Sequence, residues 1–214
     1  HGLIYQGPDK EADVADQEYA YDLWETMKVG EKVFVPGSRM LVPAANLIEA
    51  KAARGGEFAE WLVEDIMKAS DHLLKKLPNL DPKRMAATGG SYGGYLATWV
   101  LGHTDRFACI INHAGVNNSY SQFACDVPHG FAKVMGGTPW DNVEGLQRNN
   151  PMFYAKQFKT PTLVIHGELD YRVPYGNGLE LHAALQAQGV PSRLVIYPNE
   201  NHWILSPQNS IHWY

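Results

Sequence analysis

The sequence predicts an α/β protein, a mostly parallel sheet with helices on both faces, organised as one domain over residues 1–214. Three observations carry that expectation. Short β-branched runs alternate with helical patterns through the C-terminal two-thirds of the chain, the pattern of crossover helices joining parallel strands. A length of 214 residues suits a single domain with a real core, and no shift in composition marks a second. Apolar residues make up 45% of the chain, close to the globular norm.

Residues 1–57 offer one legible element, the short strand "KVFVP" at 32–36. From Phe58 to Leu77 apolar residues recur at three- and four-residue steps, with acids early and lysines late, which predicts an amphipathic helix whose charges suit its dipole. Pro78 and "NLDP" end it. "RMAATG" (84–89) then reads as a strand, followed closely by a helix over "GGYLATWVLGHT" (93–104). "FACIINHAG" (107–115) reads as a buried strand, and a long aromatic-rich insertion runs on to about Tyr154. "TPTLVIHGE" (160–168) is a strand, "GLELHAALQAQG" (178–189) a helix stopped by Gly189, and "SRLVIYP" (192–198) the last strand. The tail from Pro207 starts helix-like and stops early.

Composition excludes several function classes. A net charge of −5 with no run of lysine or arginine argues against nucleic acid or an acidic membrane surface as partner. Apolar runs such as "PTLVIHG" are far short of a membrane span. Nine histidines include no H-E-x-x-H pair, and the glycines at 89–94 lack the Lys-Ser/Thr of a phosphate loop, so no metal and no cofactor is expected. Cys109 and Cys125 are too distant for a metal knuckle, and nothing in the sequence demands a disulfide between them. A start at His1 in place of Met, with no signal-peptide pattern, predicts a processed or partial chain.

The chemistry concentrates at "TGGSYGGYLATW" (88–99). Gly89-Gly90-Ser91-Tyr92-Gly93 fits G-x-S-x-G and falls after a strand and at the opening of a helix, where a tight turn lifts a serine hydroxyl over the sheet edge. A nucleophilic serine needs a base, and in this arrangement the chain order is Ser, then Asp or Glu, then His. After the 160–168 strand comes "HGELDYRVP", with Glu168 and Asp170 as candidate acids. After the last strand comes "NENHWIL", carrying His202. Taken singly, His202 reads as a surface-loop histidine and Asp170 as a turn residue before Pro174. Their order, each just past a strand, points instead to three side chains meeting at one rim of the sheet.

The motifs "DPKRMAATGGSYGGYLATWVLGHTDRFACIINHAG", "GGTPW", "TPTLVIHGELDYRVPYGNGLELHAALQAQGVPSRLVIYPNENHWILSPQNSIHWY" and, more weakly, "RGGEFAEWLVEDIMKASDHLL" cover most of residues 54–214. Over these the chain resembles the catalytic α/β-hydrolase domain of prolyl oligopeptidase family serine peptidases, on the branch with acylaminoacyl-peptidases and bacterial dipeptidyl-peptidases. The resemblance implies Ser91 as nucleophile, His202 as base and Asp170 as acid, with Glu168 a structural neighbour. It implies that Arg172 binds a substrate carbonyl, with a surface ion pair as the alternative, and that Val173 lines the pocket; the aromatic Tyr120 and Phe123 are further candidates for that lining, with a place in the core as the alternative. His202 then takes the Ser91 proton, Asp170 fixes the imidazole tautomer, and the Tyr92 N–H faces the developing oxyanion. The second oxyanion donor falls on Gly2 or Leu3, in "HGLIYQGP", which lacks the second glycine of the family's "HGGP" loop.

Two departures bear on this expectation. Members of the family carry an N-terminal β-propeller, and nothing of that kind reads in this sequence. The "HG" segment normally follows a central strand, so the sheet is expected to carry an interior vacancy and the chain to be partial or rearranged. A missing N-terminal segment or a partner chain would complete it. The function that follows is a serine hydrolase cleaving peptide bonds of short peptides, or ester bonds, through an acyl-enzyme. The alternatives are a broad carboxylesterase and a non-catalytic fragment that retains the motifs.

Overall fold

The computed structural model describes residues 58–214. The expected strand at 32–36, and the expected vacancy beside it, lie outside the described residues. Within them, β1 (Ala86–Gly90), β2 (Cys109–His113), β3 (Thr162–Gly167) and β4 (Ser192–Tyr197) form one sheet in the order β1-β2-β3-β4. All three pairings are parallel, with Thr88 opposite Ile111, Ile111 opposite Leu163 and Val164 opposite Leu194. In a parallel sheet every strand ends at the same edge, so the loops that follow Gly90, Gly167 and Tyr197 emerge together.

Helix α1 (Phe58–Lys76) runs as its periodicity predicts and turns Val63, Ile66 and Met67 towards the core. The next strand starts two residues later than expected. Asp81 caps a short 3-10 turn at Pro82–Arg84, its side chain accepting from the Lys83 N–H at 2.9 Å, and only then does the chain extend. Helix α2 (Tyr92–His103) follows β1 with Ser91 alone between them. Its Ala97, Val100 and Leu101 pack with Ile110 of β2, Val164 of β3 and, from α6 (Gly176–Ala187), Leu181 and Leu185. Burying leucines of this kind contributes roughly 1.5–3 kcal/mol each. Strand β2 is shorter than its apolar run, because Phe107 plugs the core before it and Ala114 adopts a left-handed conformation (φ 46°) after it.

The aromatic-rich insertion is largely helical. It holds α3 (Ser119–Gln122), α4 (Pro128–Met135), α5 (Val143–Arg148) and a 3-10 stretch at Pro151–Gln157. Asparagines start three of these, Asn118, Asn142 and Asn150 accepting from the N–H groups of Tyr120, Gly145 and Met152. The last helix, α7 (Pro207–Trp213), lies across the opposite sheet face, with Trp213 against His113 and the Tyr197 hydroxyl 2.8 Å from His212 Nδ1. Both cysteines are free thiols. No helix among the described residues is long and apolar enough to cross a membrane.

Candidate active site

Ser91 sits at the junction of β1 and α2 with φ 59° and ψ −118°, a conformation that costs a non-glycine residue of order 1–3 kcal/mol. Its side chain does not cap α2, which leaves the hydroxyl out of the helix's own hydrogen bonding. The backbone is held from both sides, the Ser91 N–H donating to the His113 carbonyl (2.9 Å) and its carbonyl accepting from Tyr95 N–H (3.0 Å). The glycines of the turn have unequal roles. A Cβ on Gly89 would lie 2.1 Å from the Gly93 carbonyl oxygen, whereas one on Gly93 meets nothing within 4 Å. Gly94 is as demanding as Gly89, since a Cβ there would meet Gly115 Cα at 2.5 Å. Tyr92 is the first residue of α2, so its backbone N–H lies at the N-terminal end of the helix.

Asp170 lies in the loop after β3 and is buried. Its Oδ1 accepts from the N–H groups of Arg172 (3.0 Å) and Val173 (2.8 Å). Its Oδ2 lies 2.7 Å from His202 Nδ1 and 3.3 Å from His166 Nε2. Burial alone pushes the Asp170 carboxyl up, but the hydrogen bonds from His166, His202 and the Val173 N–H outweigh it and hold the group well below the usual carboxylate range. His113, at the end of β2, is pushed down to about 4 by burial and then by His166 and His202, with Asp170 opposing.

The loop carrying His202 is built around Glu200, a buried carboxylate that the sequence reading passed over. Its oxygens accept from Leu205 N–H (2.9 Å), Ser206 N–H (3.1 Å) and the Asn209 amide (2.6 Å). Hydrogen bonds from the Ser206 side chain, Asn209 and the Leu205 N–H lower its pKa from 4.5 to about 2. A carboxylate depressed on folding stabilises above its unfolded pKa and loses that contribution as pH falls through the folded value. The Glu200 restraint on the loop is therefore full above about pH 4.5 and disappears towards pH 2. The amide proton shifts of Leu205 and Ser206 should titrate with a midpoint near 2, and a midpoint near 4.5 would contradict the loop's dependence on Glu200.

A second set of amides braces the serine side. Asn112 Nδ2 donates to the Gly94 carbonyl and to Asn117 Oδ1 (both 2.8 Å), Asn117 Nδ2 donates to the Asn177 carbonyl (3.1 Å), and Asn177 Oδ1 accepts from Asn117 N–H (3.0 Å). All three asparagines are fully buried, so the network ties α2, β2, the following loop and α6 into one unit.

A model of the prolyl oligopeptidase family matches residues 53–214. The chain belongs to the prolyl oligopeptidase family. Dipeptidyl-peptidase 5 of Porphyromonas gingivalis is 41% identical over 162 residues, covering 73% of this chain and 24% of that protein. Dipeptidyl-peptidase 5 of Schizosaccharomyces pombe is 36% identical over 154 residues, covering 71% of this chain and 22% of that protein. Among solved structures, the acylaminoacyl peptidase of Pyrococcus horikoshii is 31% identical with a TM-score of 0.68, over 71% of this chain and 26% of that one. The chain thus spans about a quarter of the length of these relatives. The α/β-hydrolase architecture expected from the sequence is that of these relatives.

Arg172 is half-exposed and binds Asp126 with two hydrogen bonds, Nε to Oδ1 at 2.7 Å and Nη2 to Oδ2 at 3.2 Å. Val173 is buried, its carbonyl 2.8 Å from His166 Nε2. Tyr120 and Phe123 are part-buried, Tyr120 beside Phe153 (ring centroids 6.5 Å) and Phe123 edge-on to Trp140 (5.3 Å). Gly2 and Leu3 lie outside the described residues. No three His, Cys, Asp or Glu side chains gather as a metal cage among the described residues.

Proposed function

We propose that this chain carries the hydrolytic site of a serine peptidase that acts on short peptides, dipeptidyl-peptidase-like in substrate class, through an acyl-enzyme on Ser91. The observation that carries the reading is the 2.7 Å contact between His202 Nδ1 and the buried carboxylate of Asp170. A carboxylate accepts only, so Nδ1 holds the hydrogen and Nε2 is the bare nitrogen, as a general base requires. Ser91 Oγ attacks the acyl carbon, Nε2 of His202 takes its proton, and Asp170 stabilises the resulting imidazolium. The oxyanion forms against the N–H of Tyr92, at the positive end of α2. The imidazolium then returns its proton to the leaving amine, and water repeats the sequence on the acyl-enzyme. The names of the dipeptidyl-peptidase 5 relatives support the substrate class.

A fluorophosphonate should label the folded protein once, on Ser91. Ser91→Ala should abolish labelling and lower kcat towards a dipeptidyl anilide by about 10⁶-fold, with circular dichroism unchanged. A folded protein that takes no label, or a Ser91→Ala variant with full activity, overturns the reading. Comparing the anilide with a p-nitrophenyl ester separates peptidase from esterase.

A further inference from the structure

We infer that His166 is a second histidine on the Asp170 carboxylate, a positioning residue whose Nε2–H holds Oδ2 in the orientation that His202 uses. The inference rests on the proposed role of Asp170 and His202.

Four facts about His166 support it. Its side chain has no solvent exposure. Nε2 lies 2.8 Å from the Val173 carbonyl oxygen and 3.3 Å from Asp170 Oδ2. Both neighbours accept only, so the hydrogen is on Nε2, bonded to the Val173 carbonyl and within reach of Oδ2. Nδ1, the bare nitrogen, is buried without a hydrogen-bond partner, against Gly178. A Cβ at Gly178 would come within 2.8 Å of Nδ1, so α6 approaches the ring closely enough to fix its plane.

The two histidines therefore meet one oxygen through different nitrogens. His202 reaches Oδ2 through Nδ1 and keeps Nε2 for chemistry, whereas His166 reaches it through Nε2 and turns Nδ1 into a closed nook. Oδ1 is already taken by two backbone donors, which leaves His166 and His202 as the side chains that hold Oδ2. The titratable groups around His166 are Asp170 and His202 from the loops and His113 from β2, while α6 offers the side-chain-less Gly178. Withdrawing a donor from Oδ2 concentrates its charge on His202, which favours the imidazolium and moves the acid limb of kcat/KM upward. A residue that served packing alone would leave that limb in place.

The test uses the full 214-residue chain and two substitutions. His166→Leu removes the donor at similar volume, and His166→Gln returns an N–H near the Nε2 position. The leucine variant should lose about tenfold in kcat at nearly constant KM, close to the size expected for one hydrogen bond to a charged group, and shift the acid limb up by roughly half a pH unit. The glutamine variant should recover both within about twofold. A leucine variant with the wild-type limb and kcat, or a glutamine variant as impaired as the leucine one, overturns the inference.

A measurement on the wild type keeps it falsifiable should the leucine variant not fold. In ¹⁵N-histidine spectra, phenylboronic acid binding at Ser91 should move the His202 Nδ1–H resonance and, through the shared oxygen, the His166 Nε2–H resonance. Movement of His202 with His166 fixed refutes the role of His166 and spares the proposed triad. A boronate that moves neither refutes both.

Discussion

Asp170→Asn should lower kcat by about 10⁴-fold, the largest effect of any conservative substitution at the site outside Ser91 and His202. The backbone N–H groups of Arg172 and Val173 both donate to Oδ1, so an asparagine must place its amide oxygen there. The NH₂ group is then forced towards His202 and His166, which also present N–H groups. His202 relieves the conflict by shifting its hydrogen to Nε2, and it can no longer receive the Ser91 proton. Stability should fall as well, since each buried donor left unmatched costs about 1–3 kcal/mol. The sign of the pH dependence follows from the depressed carboxyl of the folded protein. Its contribution is full above the unfolded value of about 3.9 and declines as pH falls below it, so the stability gap between wild type and variant should narrow in acid. Steady-state kinetics on an anilide, with urea melts at pH 7 and pH 3, check both expectations, and a variant within tenfold of wild type would contradict the assignment.

Gly167→Ala should also impair the enzyme, although it changes no polar group. An added Cβ would lie 2.1 Å from the Asn201 carbonyl oxygen and 2.5 Å from that of Glu200, both backbone atoms of the loop that bears His202. That loop, and the end of β4 from which it leaves, are tied to the segment just past β3 by Leu169 N–H donating to the Glu200 carbonyl (2.9 Å) and Glu168 N–H to the Tyr197 carbonyl (2.9 Å). It cannot yield without stretching one of these or parting His202 from Asp170. A displacement of about 1 Å suffices for a loss on the order of 10²-fold in kcat/KM. Overpacking should remove about 1–3 kcal/mol of stability. The measurement is kcat/KM beside the melting temperature, and near-wild-type values for both would show that the loop is more yielding than its hydrogen bonds imply.

The longer elements were legible because their signals are long. Nineteen residues of periodic pattern define α1, and a continuous apolar run marks β3. The insertion was not, since helices of four, eight and six residues are too short to display a period. Their one local mark is the asparagine that starts α3 and α5, a signal easily lost in a polar stretch. Of the proposed site, Ser91, Asp170 and His202 were legible through their order along the chain. Glu200 and His166 were hidden in the same quoted motifs, because a buried carboxylate serving backbone donors and a histidine sharing an acceptor are defined by contacts across loops. The glycines were seen but not ranked. Pattern alone does not distinguish Gly89, which faces backbone at 2.1 Å, from Gly93, which faces open space.

Strand β2 contributes no member of the proposed triad, yet it separates the strand that ends just before Ser91 from the one that leads to Asp170. Two interstrand steps of a parallel sheet amount to about 9.6 Å, an interval fixed by peptide geometry and indifferent to side-chain identity. The separation of the two strand ends from which the proposed nucleophile and acid emerge is thereby calibrated by the lattice constant of the sheet, which evolution can decorate but cannot stretch.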